Sequence, residues 1–251
     1  MIRTKCLTAA VLLFACLSSG LSGQDAGTAD PVEIIRRAER IMYPDAKAVA
    51  RLHFVSPDGR TEDYEALYYA RDRNQKIIVR MIAPPAEAGN DLLMIEQNVW
   101  AYERRINRVM KVPSNQSFGG TGFSYGDVVR LNFSDNYTAA LTAAGNETFT
   151  LELIAKERAA PYYRILLDVS REGGWPMKGV CFARNGSVVK EIRYSEIRDI
   201  GAGKKPVVVT VTSPLDPGAV NTLTLVTEEP RNLPDRVFNR RNLEARLEEA
   251  P

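Results

Sequence analysis

Apolar and polar residues alternate along most of the chain, and this pattern predicts β-strands. Leu52 and Phe54 alternate with polar neighbours, and similar runs recur up to residue 227 with turn residues between them. Asn185-Gly186, between two such runs, is a strong hairpin signal. We predict about ten or eleven strands and two or three short helices, hence a mainly β (α+β) protein. A single antiparallel sheet of that size curls, and its helices must cover the apolar face.

A helix is predicted near residue 31. Asp30 can cap a helix N-terminus, Pro31 suits the first helical position, and Glu33 lies three residues after Asp30. Apolar residues then follow at helical spacing until a stop before Pro44, namely Ile34, Ile35, Ala38, Ile41 and Met42. The segment from 31 to 42 is therefore expected to be an amphipathic helix that covers part of the sheet.

Residues 91–131 combine a predicted hairpin with a long loop. The strand Leu92–Ile95, a polar turn at 96–98 and a second strand with Trp100 and Tyr102 come first. A loop of glycine, serine and aromatic residues runs from 114 to 124, and residues 125–131 could form about one or two turns of helix. An apolar, glycine-rich loop beside an aromatic sheet face favours a lid over an apolar cavity. Filling of the core is the alternative for these aromatic side chains.

The N-terminus has the pattern of an export signal. Arg3 and Lys5 precede the apolar run 6–17, which at about twelve residues has the length of a signal-peptide core and is too short to span a bilayer. Cleavage would fall among the small residues 18–23. Alternatively, Leu13-Phe14-Ala15-Cys16 resembles a lipobox, and Cys16 would then be lipidated. We predict a signal peptide at 1–23, a linker at 24–30, a folded domain at 31–245 and a frayed tail at 246–251.

The composition disfavours several classes of function. Hydrophobic residues make up 45% of the chain and the net charge is +2, which gives no electrostatic reason to expect nucleic-acid binding. His53 is the only histidine, so most acid–base and metal sites are disfavoured. The folded part has one cysteine, Cys181, and no internal disulfide is expected. We predict no metal and no cofactor.

One segment matches a catalytic motif. Residues 122–126 have the Gly-x-Ser-x-Gly pattern of esterases, which requires a strand–turn–helix context and a histidine after the serine. No histidine follows Ser124, so no catalytic residue is predicted. Gly119, Gly120 and Gly122 are instead expected to act as a flexible hinge.

A basic run at residues 104–108 contains Arg104, Arg105 and Arg108. Such a run is typical of a solvated strand edge, where charged residues prevent unwanted pairing. The alternative is contact with an anionic membrane surface or an acidic partner.

Several short segments, taken in order, resemble the bacterial outer-membrane lipoprotein-sorting family, which is related to the LolA and LolB lipoprotein carriers. The resemblance covers residues 30–245, although Glu103 and Gly126 depart from the family's pattern. The segments are Ala83-Pro84-Pro85, Gly89, Leu92-Leu93, Trp100-Ala101-Tyr102, Arg108, Val112-Pro113, Phe123-Ser124-Tyr125-Gly126-Asp127, Pro234-Asp235-Arg236-Val237-Phe238 and Arg241-Asn242-Leu243-Glu244.

This resemblance implies an unclosed β-barrel, in which short helices cover the concave apolar face of the curved sheet. It also implies a non-enzymatic periplasmic carrier or acceptor of lipoprotein or lipid acyl chains, with an inner-membrane exporter and an outer-membrane acceptor as partners. The lid would be residues 114–131. The alternative is an accessory component of an envelope lipid-export complex, with an interior filled by its own side chains. The implied site residues are Leu92, Met94, Trp100 and Tyr102 in the cavity, and Phe118, Phe123 and Tyr125 in the lid.

Overall fold

The structure is a computed structural model that describes residues 29–118, 123–128, 133–158 and 160–245. The predicted signal peptide with Cys16, most of the predicted linker and the predicted tail lie outside the described residues. The three glycines predicted as a hinge, Gly119, Gly120 and Gly122, also lie outside them.

The described residues contain thirteen strands, which form one antiparallel sheet in the order β6-β5-β4-β3-β2-β1-β13-β12-β11-β10-β9-β8-β7. Each strand pairs with its neighbour in the chain, except that β1 pairs with β13 and that β6 and β7 form the two edges. The predicted fold class, an unclosed barrel made of one curved sheet, is confirmed. The strands are β1 (Ala46–Val55), β2 (Thr61–Arg71), β3 (Lys76–Ala83), β4 (Asp91–Ile95), β5 (Asn98–Glu103), β6 (Arg108–Val112), β7 (Tyr137–Ala144), β8 (Thr148–Ala155), β9 (Arg164–Ser170), β10 (Pro176–Phe182), β11 (Val188–Asp199), β12 (Lys204–Thr212) and β13 (Val220–Pro230).

The order of the strands determines where the lid can lie. β6 and β7 follow each other in the chain but stand at opposite edges of the sheet, so residues 113–136 must connect one edge to the other. We call these residues the crossover segment; it includes the helix α2 (Tyr125–Val128). Its described side chains pack on the concave face, hereafter the inner face.

The helix α1 (Pro31–Met42) has the predicted bounds and lies on the inner face against β7 and β12. Asp30 caps it by accepting a hydrogen bond from the backbone nitrogen of Val32 at 3.0 Å. Its C-terminal end is held by Lys205 of β12, whose ammonium donates to the carbonyl oxygen of Met42 at 3.2 Å and pairs with the carboxylate of Glu228. Both charged side chains are buried, so α1 is fixed to the sheet at this end.

The C-terminal residues cover the opposite, outer face of strands β2–β6. A 3₁₀ turn (Asp235–Val237) and the helix α3 (Arg240–Ala245) hold Phe238 and Leu243 against Tyr69, Ile78 and Leu93 of the sheet. Lys76 fastens the turn through a 2.5 Å contact with Asp235. Helical structure therefore covers both faces, whereas the sequence predicted it only for the concave face.

The prediction that Trp100 and Tyr102 share a cavity with Leu92 and Met94 is wrong. Leu92 and Met94 belong to the inner core, but Trp100 and Tyr102 pack in the outer cluster beneath the C-terminal residues. The reason is the register of the β4–β5 hairpin, which pairs Ile95 with Asn98, so that Trp100 lies opposite Leu93. The loop therefore has two residues, and a change of one residue in loop length moves every side chain of a strand to the other face.

The strand β7 was not predicted. Its sequence, Tyr137–Ala144, is rich in alanine, which has a low preference for strands, and apolar alternation is weak along it. It forms because β8 provides a full antiparallel partner, with Tyr137 opposite Ala155 and Leu141 opposite Leu151.

Candidate functional site

An apolar pocket lies on the inner face between α1, the crossover segment and strands β11–β13. Its volume is about 70 Å³. Most of the side chains around it are aliphatic or aromatic, and Asp127 is the one charged residue among them. Such a lining suits an apolar ligand with few polar atoms. The lining residues are Met42, Tyr43, Phe123, Gly126, Asp127, Phe133, Tyr137, Pro161, Tyr162, Ile192, Tyr194, Val209, Val211 and Leu223.

The middle of the crossover segment is folded by local hydrogen bonds. The backbone nitrogen of Phe118 donates to the carbonyl of Phe123 at 2.8 Å, which brings the two sides of the glycine-rich loop together. Ser124 directly precedes α2 and caps it: its hydroxyl accepts a hydrogen bond from the backbone nitrogen of Asp127 at 3.2 Å. In return, the Asp127 carboxylate accepts from the backbone nitrogen of Ser124 at 2.7 Å. This reciprocal capping box makes a very short helix stable enough to present its side chains.

Aromatic rings of the crossover segment pack on the first two strands. Phe123 meets Phe54 of β1 edge to face, with ring centroids 5.4 Å apart. Phe118 contacts both Tyr64 of β2 and Tyr125 of α2 in the same manner, at 6.2 and 5.6 Å. Such pairs contribute about 0.5–1.5 kcal/mol each beyond the burial of area. They hold the segment closed over the β1–β2 side of the barrel.

The first polar anchor of the crossover segment is Asp127. Its carboxylate accepts hydrogen bonds from the Tyr162 hydroxyl, the Lys190 ammonium and the Ser124 hydroxyl at 2.6, 2.6 and 2.8 Å. Burial, followed by the nearby charge of Asp127, raises the pKa of Tyr162 well above its ordinary value of 10.0, so this phenol stays protonated and donates. Burial likewise raises the pKa of Cys181, which faces Lys190 across the β10–β11 pair. The anchor is a hydrogen-bonded ion pair within an apolar environment.

The second polar anchor is Glu39 on α1. Its carboxylate accepts from the backbone nitrogens of Phe133 and Ser134 at 2.6 and 2.7 Å and from the Ser134 hydroxyl at 2.6 Å. Arg73, in the β2–β3 turn, contacts the same carboxylate at 3.2 Å. Desolvation by burial is the largest effect and raises the pKa of Glu39 above its ordinary value of 4.5, while the hydrogen bonds and Arg73 oppose that shift. This anchor joins α1, the β2–β3 turn and the end of the crossover segment.

The structure brings together only part of the predicted site. Phe123 lines the pocket, and Phe118 and Tyr125 lie in the crossover segment above the inner face. Leu92 and Met94 are buried in the inner core but lie outside the pocket lining, whereas Trp100 and Tyr102 are on the outer face. Tyr102 donates from its hydroxyl to the side-chain oxygen of Asn107 at 2.9 Å and so supports the β5–β6 turn.

Five pocket residues come from β11–β13, far along the chain from the crossover segment, and they were not predicted from the sequence. One feature of the sequence, the alternation along β11, did indicate two of these residues. Lys190, Ile192 and Tyr194 alternate along β11, so a charged residue had to share a face with two large apolar ones. A lysine on an apolar face requires a partner, and Asp127 is the acid that the crossover segment supplies.

The geometry offers no support for hydrolysis at Ser124. Its hydroxyl donates to the Asp127 carboxylate, which is itself paired with Lys190. His53 lies on β1 and contacts Asp63, where both side chains are exposed. Within the described part of the chain, no group of three or more histidine, cysteine or acidic residues is placed to hold a metal ion. The described helices also include none that is long and apolar enough to cross a membrane.

Comparisons with known proteins agree with this architecture. A family model described as "-like: Uncharacterized protein" matches residues 73–245, which is more than half of the chain. The chain belongs to this family. The predicted resemblance to the outer-membrane lipoprotein-sorting, LolA-like proteins is confirmed at the level of the fold by the structural similarities below.

Three crystal structures share the fold of this protein. A LolA superfamily protein from Nitrosomonas europaea is 23% identical with a TM-score of 0.76, covering 85% of this chain and 99% of that one. A DUF1329 family protein from Desulfovibrio piger is 17% identical, with a TM-score of 0.71 and coverage of 86% and 100%. A domain described as an outer-membrane lipoprotein-sorting protein, from Vibrio parahaemolyticus, is 17% identical, with a TM-score of 0.71 and coverage of 85% and 98%. A search of the curated proteins found no match.

Proposed function

We propose that this LolA-like protein is a non-enzymatic periplasmic carrier or acceptor that holds acyl chains of lipoproteins or lipids during outer-membrane lipoprotein sorting. The observation that supports the proposal is the apolar pocket on the inner face, closed by a crossover segment that is fastened at two polar anchors. In this proposal the signal peptide at 1–23 directs the chain to the periplasm. If Cys16 is lipidated, the protein is a membrane-anchored acceptor; otherwise it is a soluble shuttle. An inner-membrane exporter would supply the cargo, and an outer-membrane acceptor would receive it from a shuttle.

The pocket must enlarge before an acyl chain can enter. Its volume of about 70 Å³ is roughly half that of a cavity of about 150 Å³ that binds benzene. The inner space is filled by side chains of the crossover segment, chiefly Phe123, and by Tyr137 and Tyr162. Outward movement of the crossover segment would withdraw Phe123 and join the pocket to the apolar surface beneath it.

Simple energetics allow this movement. An acyl chain with roughly fourteen buried methylenes gains about 11 kcal/mol on leaving water. Separating Asp127 from Lys190 costs at most about 3 kcal/mol, since both groups regain water when they separate. Exposing the Phe123 side chain costs about 2–3 kcal/mol. The gain exceeds these costs, so binding can drive the opening, and reclosure of the segment helps to expel the cargo.

The test is native mass spectrometry of the protein purified from its own envelope fraction, followed by lipid extraction. We expect a bound lipid or acylated peptide on the wild-type chain. Val209→Phe places a ring into the pocket and should abolish this species, whereas Thr210→Phe, on the opposite face of β12, should retain it. Equal occupancy in both variants, or no bound species in the folded wild-type protein, would argue against a carrier.

The second candidate is an accessory component of an envelope lipid-export complex, without transferable cargo. The small volume of the pocket favours it, because an interior filled by its own side chains needs no ligand. The same experiment separates the two candidates, since the accessory component would be folded and empty in the wild-type protein and in both variants.

A further inference from the structure

The tip of the β5–β6 hairpin carries an apolar side chain at its apex. Ile106 is 54% exposed at the end of the 3₁₀ turn Arg104–Ile106. The turn is well defined: the Glu103 carboxylate accepts from the backbone nitrogen of Arg105 at 3.3 Å, and Asn107 closes it in the left-handed conformation with φ 49°. The fold itself therefore presents Ile106 to solvent, and the exposure does not depend on a loose loop.

A second exposed isoleucine lies at the same end of the sheet. Ile82, next to the last residue of β3, is 45% exposed. β3 and β5 are both antiparallel to β4, so their C-terminal ends lie at the same end of the sheet. Arg104 joins the hairpin to the loop after β3, since its backbone nitrogen donates to the Asn90 side chain at 3.0 Å and its guanidinium to the Ala88 carbonyl at 3.0 Å. The two isoleucines thus lie at the same end of the sheet, on strands separated by β4, and Ile106 is the apolar residue at the apex of the hairpin.

The apex of the hairpin carries exposed positive charge. Arg104, Arg105 and Arg108 are exposed on the turn and at the start of the edge strand β6. The acids of the hairpin and the adjoining loop are Glu103, which caps the turn, and Glu87, which accepts a hydrogen bond from Asn90. Three further acids, Glu62, Asp63 and Glu65, lie at the start of β2 beside the end of β3 that carries Ile82. On the hairpin itself the three arginines outnumber the one acid, Glu103. This charge around the exposed Ile106 matches the chemistry of a bilayer interface, in which aliphatic groups enter the headgroup region and arginines meet anionic headgroups.

We propose that the apex of this hairpin, which we call the basic tip (Arg104–Arg108), docks on an anionic phospholipid surface. A lipid bilayer suits it better than an acidic protein, because a single projecting turn cannot bury the roughly 800 Å² per partner of a stable protein interface. The basic tip would hold the barrel against the membrane from which cargo is taken or to which it is delivered. This inference does not require that the pocket binds acyl chains.

Vesicle flotation of the chain from residue 24 onward tests the proposal, since that chain contains every described element and lacks Cys16. The probes are phosphatidylcholine vesicles with and without phosphatidylglycerol. We expect binding only with phosphatidylglycerol and weaker binding as salt increases. Ile106→Asp should weaken binding about tenfold through loss of apolar insertion. Arg105→Glu should weaken it roughly 25-fold, since each unit of charge near such a surface changes binding about fivefold.

Two substitutions on the outer part of β11 serve as matched controls. Ile197 is 46% exposed and Arg193 is exposed, so Ile197→Asp and Arg193→Glu make the same chemical changes away from the basic tip and should leave binding unchanged. Ile106→Trp supplies an independent gain of signal: its fluorescence should shift to the blue on anionic vesicles, because tryptophan favours the interface. Equal losses at β11 and at the basic tip, equal binding to neutral vesicles, or no binding to any vesicle would each overturn the proposal. None of these outcomes bears on whether the pocket carries a lipid.

Discussion

Replacing Asp127 with asparagine should release the crossover segment without changing its shape. The amide keeps one acceptor oxygen, so it can accept from either the Tyr162 or the Ser124 hydroxyl, which bond to different carboxylate oxygens of Asp127. It no longer neutralises Lys190, which lies 2.6 Å away. The two charged side chains are only 10% and 14% exposed, so solvent screens them weakly. Removing one partner of a buried pair costs about 3–5 kcal/mol, and we take about 3 kcal/mol because some exposure remains. At 1.4 kcal/mol per factor of ten, this raises the population of the open segment more than 100-fold.

Hydrogen exchange of the amides at 123–128 measures that population directly, and chemical denaturation measures any loss of global stability. The matched control is Glu191→Gln, which removes the acid of the Lys178–Glu191 pair on the neighbouring position of β11, where the side chains are 40% and 37% exposed, respectively. An exposed pair of this kind contributes about 0–1 kcal/mol. Combining Asp127→Asn with Lys190→Met should recover at least about 1 kcal/mol, since the uncompensated charge is gone. If Asp127→Asn costs no more than Glu191→Gln, the ion pair does not fasten the segment and the reasoning is refuted.

Three further changes test other parts of the structure. In Gly126→Ala, the new methyl group would lie 3.1 Å from the Pro161 ring, so the substitution should destabilise the protein by about 1–3 kcal/mol in urea unfolding. The control Gly145→Ala, whose methyl group has its nearest contact at 3.5 Å, should not destabilise it. Equal effects of the two substitutions would contradict the close packing of α2. Burial raises the pKa of Glu39 above 4.5. The difference in unfolding free energy between the wild-type protein and Glu39→Gln should therefore fall as pH rises from 4.5 through that pKa. A difference that grows over this range would contradict the burial argument. Phe238→Ala should lower the free energy of unfolding by about 3–5 kcal/mol, as measured in thermal or urea unfolding, yet leave acyl-probe binding intact at low temperature. Loss of binding by the folded variant would mean that the outer face takes part in the site.

Local signals in the sequence predicted what local physics determines. Asp30, Pro31 and the stop before Pro44 defined α1 because caps and helix breakers act within a few residues. The alternation of apolar residues predicted an antiparallel sheet, because alternation is also a local property of the sequence. The strand β7 was not predicted because its alanines have little preference for strands, and its pairing with β8 stabilises it instead.

The candidate site was harder to predict because it depends on register and on distant pairing. Trp100 was assigned to the wrong face through a difference of one residue in the β4–β5 loop, where Glu96 adopts φ 56°. Asp127 and Lys190 are 63 residues apart, so the sequence alone could show only that each charge lay near apolar neighbours. The order of the strands brings them together, and alternation along a strand does not encode that order.

The most direct test of the proposed acyl-binding site is photo-crosslinking of a fatty acid that carries a diazirine near its chain end, followed by peptide mapping. The account predicts labels on residues of the pocket, such as Ile192, Val209 and Phe123, and fewer labels in Val209→Phe than in Thr210→Phe. Labels confined to the outer face around Trp100 and Tyr102, or a folded protein that takes up no probe, would contradict the claim that the inner face is a binding site for acyl chains.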